Sequence, residues 1–211
     1  MSSLFERKQG EMNKSSLRFF LGALALFLAG NFNPQQSEAR DNLVTLFHKL
    51  KNVKANYGTF GTVCEEVARL EVQEEFRGPG FEVETGIEYS DKSRTIGELD
   101  VIVFDTLTDK VIMIAEVKCW RDLKSARQKA RKQLTRFQDT IASHKPINLY
   151  LTDDRQVRYE AWQFDTHPNM IAISQEGGEA AGFEDTIEYS LAEMQELQKM
   201  LQACQEHGQC D

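Results

Sequence analysis

Three side chains stand out by type and spacing: Asp100, Glu116 and Lys118. Each lies in, or at the end of, a short apolar run, Leu99–Phe104 or Val111–Val117. An unpaired charge held away from water costs several kcal/mol, so an acid inside such a run calls for a partner. Side chains two apart on a strand share a face, about 7 Å from each other, which points Glu116 and Lys118 the same way. Pairing the two runs brings Asp100 onto that face. Converging carboxylates repel unless a cation joins them. A hard ion with oxygen ligands and retained waters suits them, Mg²⁺ first and Mn²⁺ as a substitute. The lysine is then placed to orient or deprotonate a water, or to steady developing negative charge. Together these groups would hydrolyse a phosphodiester. An E-x-K triplet alone says little in a chain with 33 acids and 25 bases. Lys118 reaching from a strand end to pair with Glu116 is the plainer alternative. The combination of acid, hairpin-length gap, acid and lysine carries the functional reading.

The elements that must position these groups follow from periodicity. Both apolar runs are short and rich in β-branched residues, and Asp105–Lys110 between them is polar, which predicts a hairpin of buried strands. Asp41 to Lys54 reads as an opening helix, with Leu43, Val44, Phe47 and Leu50 at helical spacing and Asp41 as cap. Thr62 to Phe76 reads as a second, with Val63, Cys64, Val67, Ala68 and Val72 on one side. The segment GPGF stops it, and Phe81–Tyr89 begins a sheet. Asp122–Ala142 is the clearest helix, burying Ala126, Ala130, Leu134 and Phe137. Ile147–Leu151 is expected as a core strand, Val157–Phe164 and Met170–Ser174 as further strands, Gln175–Glu184 as a loop and Leu191–Gln205 as a closing amphipathic helix.

The pattern G-E-L-D-V-I-V, a gap, then I-A-E-V-K-C-W resembles the PD-(D/E)xK nuclease superfamily, in the branch of Mrr-type restriction endonucleases and Holliday-junction-resolvase-like proteins. The resemblance covers Gly61 to Leu151, about half the chain. It implies an α/β fold with a restriction-endonuclease-like αβββαβ core, a mixed central sheet flanked by helices. It also implies that Asp100, Glu116 and Lys118 bind Mg²⁺ and catalyse. Leu99 stands where the family's name has proline, a frequent departure. A glutamate from the helix before the first strand often joins the metal site, in an E-x-x-A-like setting. Glu65 followed by Ala68 fits best, while Glu66 and Glu71 stay open. The Q-L-x-x-[YF] segment of such proteins matches Gln133, Leu134 and Phe137, which implies that Gln133 helps position the lysine or the phosphate.

The 211 residues are 41% hydrophobic and 27% charged, enough for one globular domain with extras. A formal charge of −8 argues against a general nucleic-acid coat protein, so DNA contact must come from a local basic surface. The helix after the proposed site supplies one. Arg121, Lys124, Arg127, Lys129, Arg131, Lys132 and Arg136 place seven cations within 16 residues, and backbone phosphate is the expected partner. A sequence-specific reader needs base contacts that this compact chain has little room to supply, so low specificity is expected.

Residues 1–39 have the order of a secretory signal peptide. Lys8, Lys14 and Arg18 precede the 12-residue run FFLGALALFLAG, then NFNPQQSEA with Ser37 and Ala39 at the −3 and −1 positions. The run is short for a membrane span, so a mature chain from Arg40, without stable membrane insertion, is expected in the periplasm or outside the cell. Met12 is an equally good start. Four cysteines, at 64, 119, 204 and 210, suit an oxidising compartment. Cys204 and Cys210 are close enough in sequence for a local bridge at the tail, while Cys204, His207 and Cys210 lack the fourth ligand and the spacing of a structural zinc site; Cys64 and Cys119, each beside a proposed site residue, form a second bridge or stay as free thiols. The reading is an exported, Mg²⁺-dependent deoxyribonuclease. Alternatives are a cytosolic repair or resolvase-type enzyme and a nuclease-like fold kept as a binding module.

Overall fold

The computed structural model describes residues 34–210 apart from Ser93 and Thr166, with side chains from Asn42 onward. Among the described residues, four helices and a seven-stranded mixed sheet make an α/β fold. Helices α1 (Pro34–Leu50) and α2 (Phe60–Glu75) lead into β1 (Phe81–Asp91), β2 (Arg94–Asp105) and β3 (Lys110–Val117). Then come α3 (Leu123–Ala142), β4 (Asn148–Leu151), β5 (Arg158–Tyr159), β6 (Asn169–Ser174), β7 (Asp185–Thr186) and α4 (Leu191–Glu206). The sheet order is β5-β4-β1-β2-β3-β6-β7. Strands β3, β6 and β7 run parallel to one another, and the remaining pairs are antiparallel.

Side-chain pattern explains the layers. Val63, Cys64, Val67, Ala68 and Val72 recur at three- and four-residue spacing on α2, so one stripe of it is apolar. That stripe packs with Leu46 and Leu50 of α1, Leu197 and Leu201 of α4, and Val101, Val103, Ala115 and Val117 of the sheet. On the opposite face, Leu134 and Phe137 of α3 meet Ile87, Tyr89, Leu99, Ile102 and Ile114. Phe137 is fully buried, with edge-to-face contacts to Tyr89 at 5.0 Å and Phe164 at 5.6 Å. The caps lie where short polar side chains permit them. Asp122 accepts from Ser125 N at the start of α3, and Ser190 and Glu193 form a reciprocal box at the start of α4.

Strand β2 serves both layers. Leu99, Ile102 and Phe104 belong to the α3 side, whereas Val101 and Val103 belong to the other. A regular strand alternates faces at every residue, so Leu99 and Ile102 cannot share one unless the pleat changes phase between them. The change falls at Asp100. Across the ladder, between the pairs Thr85↔Val101 and Ile87↔Leu99, stands Gly86 with φ +70°. That left-handed conformation is open to glycine without penalty, and it lets β1 turn with its partner.

Three sequence expectations need correction here. Helix α1 begins seven residues earlier than Asp41 and stops at Leu50, so Asp41 is not its cap. Val157–Phe164 is not one strand: it gives the two-residue β5 and then a 3-10 turn over Ala161–Phe164. Gln163 explains the break, because its side chain accepts from the backbone of Glu160 and donates to Asp109, a use that strand pairing would forbid. The loop expected over Gln175–Glu184 contains a 3-10 turn at Glu179–Ala181. Of the expected leader, residues 1–33 lie outside the described residues. Ser37 and Ala39 fall on the backbone of α1. Among the described residues, no helix is long and apolar enough to cross a membrane.

Candidate active site

The β2–β3 hairpin forms as the two apolar runs require, with Val101 across from Ala115 and Ile102 across from Ile114. Pairing stops one residue short of Glu116, and there the side chain of Asp100 enters the ladder. Its Oδ2 accepts from Val117 N at 2.8 Å and from Lys118 Nζ at 2.9 Å. The carboxylate thus takes the place of a backbone carbonyl. Lys118 leaves the end of β3 and folds back over the hairpin, donating also to Val117 O at 2.8 Å. Its ammonium lies 2.5 Å from Glu116 Oε1 as an ion pair. Glu116 is 1% exposed and Asp100 5%. The three side chains expected to converge do so.

The electrostatics show which acids are satisfied. Burial, and then the neighbouring Asp100 carboxylate, push Glu116 up to about 9 despite Lys118. Burial followed by Asp100 and Glu98 pushes Glu65 up to about 8. For Lys118 burial alone would lower the ammonium, but Asp100 and Glu116 outweigh it and hold the group above its ordinary value. Glu88 is the contrasting case. It is also buried, yet Thr95, Tyr150 and Arg155 all donate to it, and those bonds outweigh burial and keep its carboxyl below the usual range. Negative charge is therefore answered at Glu88 and in excess around Glu116 and Glu65.

Of the three glutamates left open on α2, Glu65 is the one whose charge is felt by the Asp100 cluster. Glu66 is bound to Arg69 at 2.7 Å and accepts from Thr85 at 2.9 Å, which gives it a structural task. Glu71 accepts from Glu188 N, away from the cluster, and burial pushes it up to about 7. Gln133 is half buried on α3, its Oε1 enclosed without a hydrogen-bond partner. None of the contacts of Lys118 is to Gln133.

Compared with protein-family models, curated proteins and solved structures, the chain finds no match.

Further residues hold the site in place, among them Ser174 and Gln175, which no spacing in the sequence singled out. Ser174 Oγ, at the end of β6, donates to Lys118 O at 2.7 Å. Gln175 takes both backbone groups of Trp120: Trp120 N donates to Gln175 Oε1 at 3.1 Å, and Gln175 Nε2 donates to Trp120 O at 2.8 Å. A side-chain amide thereby continues the β3–β6 pairing past its last regular residue. Cys64 is disulfide-bonded to Cys119, and Cys204 to Cys210. The first bridge joins the residue before Glu65 to the residue after Lys118, tying α2 to the end of β3. On the other side of β2, Thr152 donates to Glu98 at 2.8 Å. The only sign of Ser174 and Gln175 in the sequence is polar residues directly after an apolar run.

The cations of α3 divide. Arg127 donates to Gly182 O, and Arg131 pairs with Glu184. Arg136 donates to the hydroxyl of Tyr89 at 3.3 Å. Lys124, Lys129 and Lys132 are exposed, with the Lys129 ammonium 4.6 Å from the centre of the Trp120 ring.

Among the described residues no three His, Cys, Asp or Glu side chains already form a metal cage, and the cation between Asp100 and Glu116 is Lys118 itself. The residues still fit a hard ion that binds through one or two carboxylates and keeps its waters. All the donors are oxygen, Glu116 Oε1 is buried with the Lys118 ammonium as its close partner, and Glu116 and Glu65 are raised first by burial and then by the Asp100 carboxylate.

Proposed function

We propose that this chain is a divalent-metal-dependent nuclease of the PD-(D/E)xK type, acting on DNA with low sequence specificity. The observation that carries the reading is the meeting of Asp100, Glu116 and Lys118 at the point where β2 and β3 part. The order α2-β1-β2-β3-α3-β4 supports a restriction-endonuclease-like core, since it is the αβββαβ order. Asp100, Glu116 and Glu65 would hold Mg²⁺. When bound, the ion supplies Lewis-acid polarisation of the scissile phosphate and offsets the charge of the carboxylates. Lys118, kept charged by Asp100 and Glu116, places an ammonium beside the phosphate and stabilises negative charge as it develops. Val117 N and Val117 O fix the carboxylate and the lysine on one backbone unit, so the pair is oriented before substrate arrives. Lys124, Lys129 and Lys132 supply backbone-phosphate contacts. Export, to the periplasm or beyond, accords with two disulfides and with the leader-like residues 1–39.

A second reading, a nuclease-like fold retained for binding alone, draws on the lysine that already fills the space between the carboxylates. Incubation of the purified protein with plasmid and linear DNA, in Mg²⁺ or in EDTA, separates the two. Cleavage in Mg²⁺ only, lost in Asp100→Asn, is expected. DNA left intact by the wild type in Mg²⁺ and in Mn²⁺ overturns the enzyme in favour of the binding module.

A further inference from the structure

Trp120 is 44% exposed, two residues beyond Lys118. Its backbone does not wander. Gln175, only 4% exposed, holds both Trp120 N and Trp120 O, and the preceding Cys119 is bridged to Cys64. Beside the ring stands the Lys129 ammonium, 4.6 Å from its centre. An exposed aromatic ring on a held backbone, beside a cation, is the pairing that takes a nucleobase and its phosphate together.

We propose that Trp120 is a stacking platform for an unpaired base of the substrate DNA, next to the phosphate that is cut. This rests on the nuclease reading above and narrows its substrate class. A base within a duplex has neighbours on both faces, and stacking on an indole requires it to be unpaired, terminal or extruded. The preferred substrate is therefore single-stranded DNA, or duplex with a single-stranded end or gap. Trp162 provides an internal comparison. It is 46% exposed and also has a lysine over its ring, but that lysine, Lys110, is paired with Asp165 at 2.8 Å, and no site residue is bound to either.

The test uses the Trp162→Phe protein, which leaves Trp120 as its one tryptophan, in EDTA. A short oligodeoxynucleotide of mixed sequence is titrated as single strand and as blunt duplex, following indole fluorescence and fluorescence anisotropy of labelled DNA. Quenching by the single strand is expected, with weaker quenching by duplex. On the wild-type background, Trp120→Ala should weaken single-strand binding roughly 5- to 100-fold, and duplex binding far less, while Trp120→Phe retains most of the affinity. Absent quenching by the single strand, or equal losses on both DNA forms in Trp120→Ala, overturns the platform. Cleavage in Mg²⁺ is scored separately. Wild-type cleavage with unaltered binding in Trp120→Ala sinks the platform and leaves the nuclease standing. Selective loss of single-strand binding in a protein that never cleaves keeps the platform and removes the nuclease.

Discussion

Gly86 stands across the β1–β2 ladder from Asp100, and it does so with φ +70°. The two positions are one feature: the pleat changes phase there, and the carboxylate enters the gap where β3 diverges. A side chain at Gly86 would meet the left-handed penalty of about 1–2 kcal/mol. Its Cβ would also lie 3.2 Å from Glu98 Oε1. Gly86→Ala should therefore lower stability by about 1–2 kcal/mol in urea unfolding. It should also slow DNA cleavage more than Gly208→Ala, which has a similar φ of +65° and nothing near its Cβ. Equal cleavage rates in the two variants would detach the site from the bend.

Lys118→Ala removes the one cation that, among the described residues, pairs with Asp100 and Glu116. Breaking a buried pair from one side typically costs about 3 kcal/mol or more. The variant should be inactive and much less stable at pH 8 in EDTA, with part of the loss recovered when Mg²⁺ is added. Asp100→Asn should also be inactive, yet lose less stability, because it relieves repulsion on Glu116 and Glu65. Calorimetric midpoints for the two proteins, side by side, check the ordering.

The raised carboxyls fix the sign of a pH dependence. Glu116 at about 9 and Glu65 at about 8 bind protons more tightly folded than unfolded. Their contribution is fullest below the ordinary carboxylate range and is lost as pH rises toward 8 and 9. In EDTA the melting temperature should fall between pH 5 and pH 9, and less steeply in Asp100→Asn. With Mg²⁺ the slope should flatten, and titration calorimetry in buffers of different ionisation enthalpy should show protons released on binding. Metal uptake without proton release at pH 7 would contradict the assignment.

Cations on α3 should separate by task. Reversing Lys124 and Lys132 to glutamate should weaken DNA binding and reduce its salt slope by about 2, with stability little changed. Arg131→Glu should act differently. It meets Glu184, whose other oxygen accepts from Ala172 N in β6, so thermal stability should drop. Anisotropy titrations at several salt concentrations, paired with melting curves, distinguish these outcomes.

The Cys64–Cys119 bridge closes 55 residues of chain, for which chain entropy gives about 4 kcal/mol. Cys204–Cys210 closes only 6 and should matter less. Replacing the first pair by serine should lower both stability and cleavage, since the bridge flanks Glu65 and Lys118. Replacing the second should leave cleavage near wild type.

Much of this was legible in the chain because local rules and burial agreed. The hairpin, α2, α3 and α4 read correctly since apolar spacing and turn residues favoured one outcome, with side-chain caps added at α3 and α4. The convergence of Asp100, Glu116 and Lys118 followed from strand pairing alone. What escaped depended on distant partners. Nothing in the segment Val157–Phe164 shows that Gln163 bonds Glu160 and Asp109 and ends the strand. That Glu66 is held by Arg69 and Thr85 needed their three-dimensional positions. The division of labour among the cations of α3 needed Gly182 and Glu184, some 50 residues away.

Because β2 gives Val101 and Val103 to one apolar layer and Leu99, Ile102 and Phe104 to the other, neither layer is complete without this strand. The two halves of the molecule are thereby bound into one cooperative unit. Asp100 sits on their seam, so partial opening of either layer dismantles the place where chemistry is proposed to occur. Catalytic competence and global folding should then be lost in a single transition, with no inactive but otherwise intact intermediate on the way.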